Sequence, residues 1–132
     1  MLNVGDSAEV RITVQSSDTA QALSISAEDA FPAVLATSRM IALMEIAAAR
    51  AMKSEVQPGH LSVGVSLNVK HTAATPVGCQ ARAMATFVGI EGKLFRFRVE
   101  AFDDAGPIGE GDHTRAIVFT DRMLAGAERR KR

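Results

Sequence analysis

His60-Leu61-Ser62-Val63-Gly64-Val65-Ser66-Leu67-Asn68-Val69-Lys70-His71 sets Leu61, Val63, Val65, Leu67 and Val69 against His60, Ser62, Gly64, Ser66, Asn68 and Lys70. A period of two over so long a run is the pattern of a β-strand with one apolar face. His71 continues the odd-numbered parity, so an uninterrupted strand turns its imidazole to the buried side. Downstream, Pro76-Val77-Gly78 breaks the alternation and Cys79 to Ile90 resumes it. Glu91-Gly92 marks a hairpin turn into Lys93 to Phe102, and Asp103 to Pro107 supplies the next turn, into a last strand from Ile108 to Thr120. Gly109 and Gly111 within that strand predict a bulge or a close backbone approach. The reading is four antiparallel strands in meander-like succession.

Upstream, Gln57-Pro58-Gly59 separates this region from a run of different character. Pro32 suits the first turn of a helix, and Ala33 to Met52 carries no Gly or Pro, which predicts one long helix. Arg39, Arg50 and Lys53 fall on a narrow polar stripe, while Val34, Ile41, Leu43, Met44, Ala48 and Met52 cover most of the rest of its circumference. Such a helix needs covering on more than one side. Ala8 to Gln15 alternates as a first strand, and Ser16 to Ala30 reads as a loop with one short helical turn. The order strand, loop, helix, four strands predicts an α+β chain in which one long central helix is wrapped by a curved antiparallel sheet of about five strands. That arrangement is the hotdog fold. Residues 1–124 form its single domain, residues 125–132 are expected to be a flexible basic tail, and a second protomer is expected to close the side of the helix that the sheet leaves open.

With 132 residues, 47% apolar and 23% charged, the chain has the balance of one globular domain. Fifteen basic and fifteen acidic side chains cancel, so no global field draws in nucleic acid or an anionic membrane surface. The terminal run Arg129-Arg130-Lys131-Arg132 reads as a solvated end. The single cysteine, Cys79, closes no intrachain disulfide and points to a reducing compartment, which makes the cytoplasm the expected location. No signal peptide or membrane span is evident in the N-terminal stretch or elsewhere. His60 and His113 have no ligand partners at metal-binding spacing, so they read as surface or strand residues and no metal is expected.

Three residues are candidates for chemistry. His71 faces inward by parity. Read alone, it is equally explained as a core histidine bonded to a backbone carbonyl. Glu45 has Ile41, Ala42, Ala48 and Ala49 at helical neighbour positions, so no cation on its own helix pairs with it. It must reach solvent or meet a partner from another element, because burying it alone would cost several kcal/mol. Thr37 lies eight residues before Glu45, about 80° around the helix and roughly 12 Å along it. One substrate can span that distance, although a threonine in a helix also commonly caps or back-bonds a turn.

The runs Phe31-Pro32-Ala33-Val34-Leu35-Ala36-Thr37, Leu43-Met44-Glu45, Arg50-Ala51-Met52 and His71-Thr72-Ala73-Ala74-Thr75-Pro76 resemble the fluoroacetyl-CoA thioesterase family, as does Gly109 to Ala116. The likeness covers Val4 to Phe119. It implies a hotdog homodimer, with a tetramer as the larger alternative, that hydrolyses acyl-CoA thioesters with a threonine, a glutamate and a histidine carried here by Thr37, Glu45 and His71. It further implies a glycine near the thioester carbonyl (Gly64), an arginine nearby (Arg115) and an aromatic gate (Phe31). The loop from Ser16 to Ala30 and the pair Ser38-Arg39 depart from the family pattern, so the resemblance implies a small or short acyl group without fixing it.

Thioester hydrolysis requires a nucleophile, a group to generate it and a donor for the developing oxyanion. Glu45 supplies the first or second role and His71 moves protons and assists the thiolate. Thr37 orients Glu45 or the acyl group, and Gly64 lets backbone approach the carbonyl. Arg115 pairs with a carboxylate to fix the site or touches substrate. Arg39, Lys70, Arg82 and the tail are the cations available for coenzyme A phosphates. CoA enters as part of the substrate and no cofactor is expected. A hotdog hydratase acting on enoyl or hydroxyacyl thioesters, and a non-catalytic acyl-thioester binding protein, are the competing readings.

Overall fold

The computed structural model describes residues 1–131. Five strands, β1 (Ser7–Thr13), β2 (His60–His71), β3 (Gln80–Glu91), β4 (Leu94–Asp103) and β5 (Gly106–Phe119), form one antiparallel sheet in the order β1-β3-β4-β5-β2. Helix α1 (Thr37–Ala51) packs on one face, and α2 (Thr120–Glu128) follows β5. β3, β4 and β5 are a true meander whose two turns, Gly92-Lys93 and Asp104-Ala105, are each two residues long. β2 departs from the expected succession: it pairs with β5, and the chain then crosses to bring β3 in beside β1. The crossover is tied down by Thr75, which is fully buried. Its carbonyl accepts from the Leu35 N–H at 2.8 Å and its hydroxyl donates to Asp103 at 2.7 Å.

The regular alternation read for β2 is broken in the structure. Gly64 opposes Arg115 and Ser66 opposes Thr114, which leaves Val65 as an extra, unpaired residue. One inserted residue moves everything after it to the other face. Ser62 and Gly64 therefore face α1 ahead of the bulge, with Leu67, Val69 and His71 facing it beyond, while Leu61 and Val63 turn away. The close approach expected at Gly109 and Gly111 is present. A β-carbon on Gly109 would meet the Met40 sulfur at 2.6 Å, and one on Gly111 would strike the Asn68 carbonyl.

Helix α1 begins at Thr37, five residues after Pro32. Val34 and Leu35 are extended instead, bridging to Pro76 and Thr19, with the Val34 carbonyl accepting from Ala20 N–H at 2.9 Å. Tertiary backbone partners override the helical propensity of this stretch. Met40, Leu43, Met44, Ala47 and Ala48 recur at helical spacing and are fully buried against the sheet. Each of the larger ones contributes about 1.5–3 kcal/mol of burial. Ala81, Ala83 and Ala85 on the inner face of β3 leave room for the methionines. The opposite side of α1, with Ala42, Glu45, Ile46 and Ala49, is only half-buried. Residues 125–128, read as the start of a flexible tail, are instead the end of α2, and Arg132 lies outside the described residues. No helix among the described residues is long and apolar enough to cross a membrane.

Candidate active site

Thr37 is the first residue of α1 and His71 the last of β2, so the helix start and the strand end meet. The Thr37 hydroxyl lies 2.7 Å from His71 Nδ1. The other ring nitrogen, Nε2, is buried without a hydrogen-bond partner. Burial pushes the imidazole below its ordinary value near 6.5, with the Ala73 backbone opposing that shift, so the ring is neutral at physiological pH. A neutral imidazole against a hydroxyl can accept a proton and return it to a leaving group. The pair opens on a cleft of about 380 Å³ whose walls include Pro32, Val34, Thr72 and Ala74. Phe31, the residue before that wall, is half exposed.

Glu45 finds the partner its own helix lacks on β5. Arg115 Nη1 donates to Glu45 Oε2 at 3.1 Å, with the guanidinium side chain 7% exposed and the carboxylate side chain 37%. The same Nη1 reaches His113 Nε2 at 3.1 Å, while Arg115 Nε and Nη2 donate to the Ser62 hydroxyl and carbonyl at 3.1 and 3.0 Å. Four contacts hold the fork in one orientation. Gly64 lies directly opposite Arg115, and a β-carbon there would strike the Glu45 carboxylate and come within 3.2 Å of the His113 ring. Glycine is needed here for the carboxylate to lie against the strand. Glu45 and Arg115 share a second depression of about 300 Å³ with Ala42, Ile46 and Ala49.

The structure thus brings Thr37 to His71, and Glu45 to Arg115 and Gly64, as two groups on two depressions of one chain. His113, read as a surface or strand residue, is a strand residue of β5, where it is 1% exposed and part of the second group. Its signal was its place two residues from Arg115, since alternate residues of a strand share a face. Ser62, which bonds Arg115 twice, was likewise unmarked. His60 stacks on Phe119 and contacts the Pro58 carbonyl through Nδ1. Among the described residues, no three His, Cys, Asp or Glu side chains cluster as a metal site. Of the cations considered for phosphates, Arg39 pairs with Asp18 at 2.9 Å and Arg82 lies over the Phe102 ring, 4.2 Å from its centroid.

The sequence pattern of the fluoroacetyl-CoA-specific thioesterase family matches residues 14–121. A fluoroacetyl-CoA thioesterase of Streptantibioticus cattleyicolor is 41% identical over 95 residues, which is 72% of this chain and 68% of that protein. A solved fluoroacetyl-CoA thioesterase superposes with a TM-score of 0.94 at 34% identity, over 100% of this chain and 99% of the other. A mutant of such an enzyme, in complex with fluoroacetate and CoA, superposes with a TM-score of 0.86 at 36% identity, over 92% and 98% of the two chains.

Proposed function

This chain belongs to the fluoroacetyl-CoA-specific thioesterase family and has its hotdog fold, and from that premise we propose that it hydrolyses the thioester of a small acyl-CoA to a carboxylic acid and CoA. The observation that carries the reading is the Thr37–His71 contact at the mouth of an open cleft, a hydroxyl and a neutral imidazole poised for proton transfer. CoA departs as the thiolate when the carbon–sulfur bond breaks, and His71, neutral at rest, takes up a proton from the water that the hydrolysis consumes and passes it to that sulfur. Thr37 holds the imidazole and the acyl group in register. Glu45 drives the attack on the acyl carbon, as nucleophile or as base for water, and Arg115 holds its carboxylate in place. The backbone at Gly64 has no side chain to keep the thioester carbonyl away.

The working unit is a homodimer. β2 is an edge strand of twelve residues whose Val65 and Leu67 are exposed at 54% and 37%, and an apolar edge of that length calls for a partner. A second copy paired along β2 covers the half-buried side of α1 and walls both depressions into a cleft that a thioester can bridge. The lone Cys79 fits a reducing compartment, so the enzyme belongs in the cytoplasm.

Release of free thiol from acetyl-, propionyl- and fluoroacetyl-CoA tests the reading. Hydrolysis gives thiol, whereas a hydratase or a binding protein gives none. Glu45→Gln and His71→Ala are each expected to lower kcat by about 10² to 10⁴. Undiminished turnover in both variants removes them from the mechanism.

A further inference from the structure

His113 is a buried titratable group to which the proposed reaction assigns no step. Its ring projects from β5 over β2, with Nδ1 2.8 Å from the Ser66 carbonyl and Nε2 3.1 Å from Arg115 Nη1. A carbonyl only accepts and a guanidinium only donates. The two contacts therefore fix the proton on Nδ1 and a lone pair on Nε2. One hydrogen of Arg115 Nη1 then goes to His113 and the other to Glu45 Oε2. We propose that His113 is a positioning residue which, as the neutral Nδ1–H tautomer, aims Arg115 at Glu45 and so sets the angle of the Glu45 carboxylate. This rests on the hydrolase reading given above.

The geometry makes the device one-sided. A proton added at Nε2 would set an N–H against the Arg115 N–H and place two cations side by side on side chains that are both buried. The charged groups facing the ring are Arg115 from β5 and Glu45 from α1. Burial and the Arg115 cation both hold the ring below its ordinary value near 6.5, opposed by the Ser66 carbonyl and Glu45. The device is therefore intact at neutral pH and fails as the medium acidifies.

Acetyl-CoA hydrolysis by His113→Leu and His113→Gln, with thermal unfolding of each, tests the proposal. The glutamine amide oxygen reaches about as far as Nε2 and accepts from Arg115 without titrating, whereas leucine accepts nothing. We expect the leucine variant to lose kcat by about 10-fold to 10²-fold, the cost of an ångström-scale misplacement, with KM changed less than about threefold. The glutamine variant is expected to recover most of that loss and to hold its kcat to lower pH than the parent. Equal turnover in the leucine variant and parent overturns the proposal, as does equal impairment of both variants. Nitrogen NMR of the parent's His113 ring provides a readout that does not depend on turnover or on either variant folding. The Nδ1–H form at pH 7 supports the proposal, and an Nε2–H or doubly protonated ring overturns it. A parent that releases no thiol from any of the three CoA esters sinks the hydrolase reading, while the tautomer still reports whether His113 holds Arg115 as described.

Discussion

Replacing Gly64 with alanine adds one carbon where the Glu45 carboxylate now lies. An ordinary contact needs about an ångström more room than the structure allows, and the movable group is the carboxylate. It swings off Arg115 Nη1, where it now accepts at 3.1 Å. The exposed share of Glu45, 37%, lets it find water, and the buried Arg115, 7% exposed, keeps its bonds to Ser62 and His113, so losing the pair costs about 1 kcal/mol. Alanine offsets roughly 0.5–1 kcal/mol of that by stiffening the unfolded chain and the strand. The net effect on stability is within about 1 kcal/mol, a shift of no more than roughly 5 °C in Tm. The effect on chemistry is of another size, since a misplaced attacking group costs on the order of 10²-fold in kcat, or about 2.7 kcal/mol in the barrier. Thermal unfolding alongside thiol release separates the two. The reasoning is refuted if the alanine variant keeps kcat within about threefold of the parent. It is also refuted if the losses in Gly64→Ala and Glu45→Gln multiply in the double variant, because two changes acting through one carboxylate should be strongly non-additive.

Thr37→Ala removes the hydroxyl from His71 Nδ1 and is expected to lower kcat by about 10-fold to 10²-fold. Thr37→Ser keeps the hydroxyl and should stay near the parent in the same assay. His71 and His113 are both held below 6.5 in the fold; as pH falls through that value the unfolded chain takes up protons first. Stability set by these rings is thus complete above about 6.5 and declines below it. Denaturant unfolding at pH 7.5 and 5.5 should show the decline, with a smaller drop in His113→Gln. Asp103→Ala strands the fully buried Thr75 hydroxyl, which should cost about 1–3 kcal/mol and be visible as a lower Tm.

What the sequence made legible follows the range over which each interaction acts. The period-two runs and the two-residue hairpin turns are local, and they identify the strands to within a few residues. The helix start was misread because the partners that hold Val34 and Leu35 extended, Ala20 and Thr75, come from segments that composition does not connect to them. The apolar neighbourhood of Glu45 could be read from its own helix. Its cation could not, since Arg115 is 70 residues away and only the family resemblance pointed to it. His113 belongs to the site through its neighbour Arg115 on one strand face, a relation that metal-ligand spacing does not register.

The bulge at Val65 carries no compositional mark, as valine is an ordinary strand residue, yet two site residues implied it. Gly64 and His71 are seven positions apart, an odd separation, and a regular strand sends residues of opposite parity to opposite faces. If both are to face α1, the strand must lose its alternation between them. The extra residue at Val65 does that. Without it, a strand that kept Gly64 against Glu45 would turn His71 away from Thr37 and point Lys70 into the core. The same irregularity lies beside Ser66, whose carbonyl fixes the His113 ring. One inserted residue thus reconciles the glycine that admits the carboxylate with the histidine that meets the threonine, and the two depressions can belong to a single site only because the strand between them is irregular.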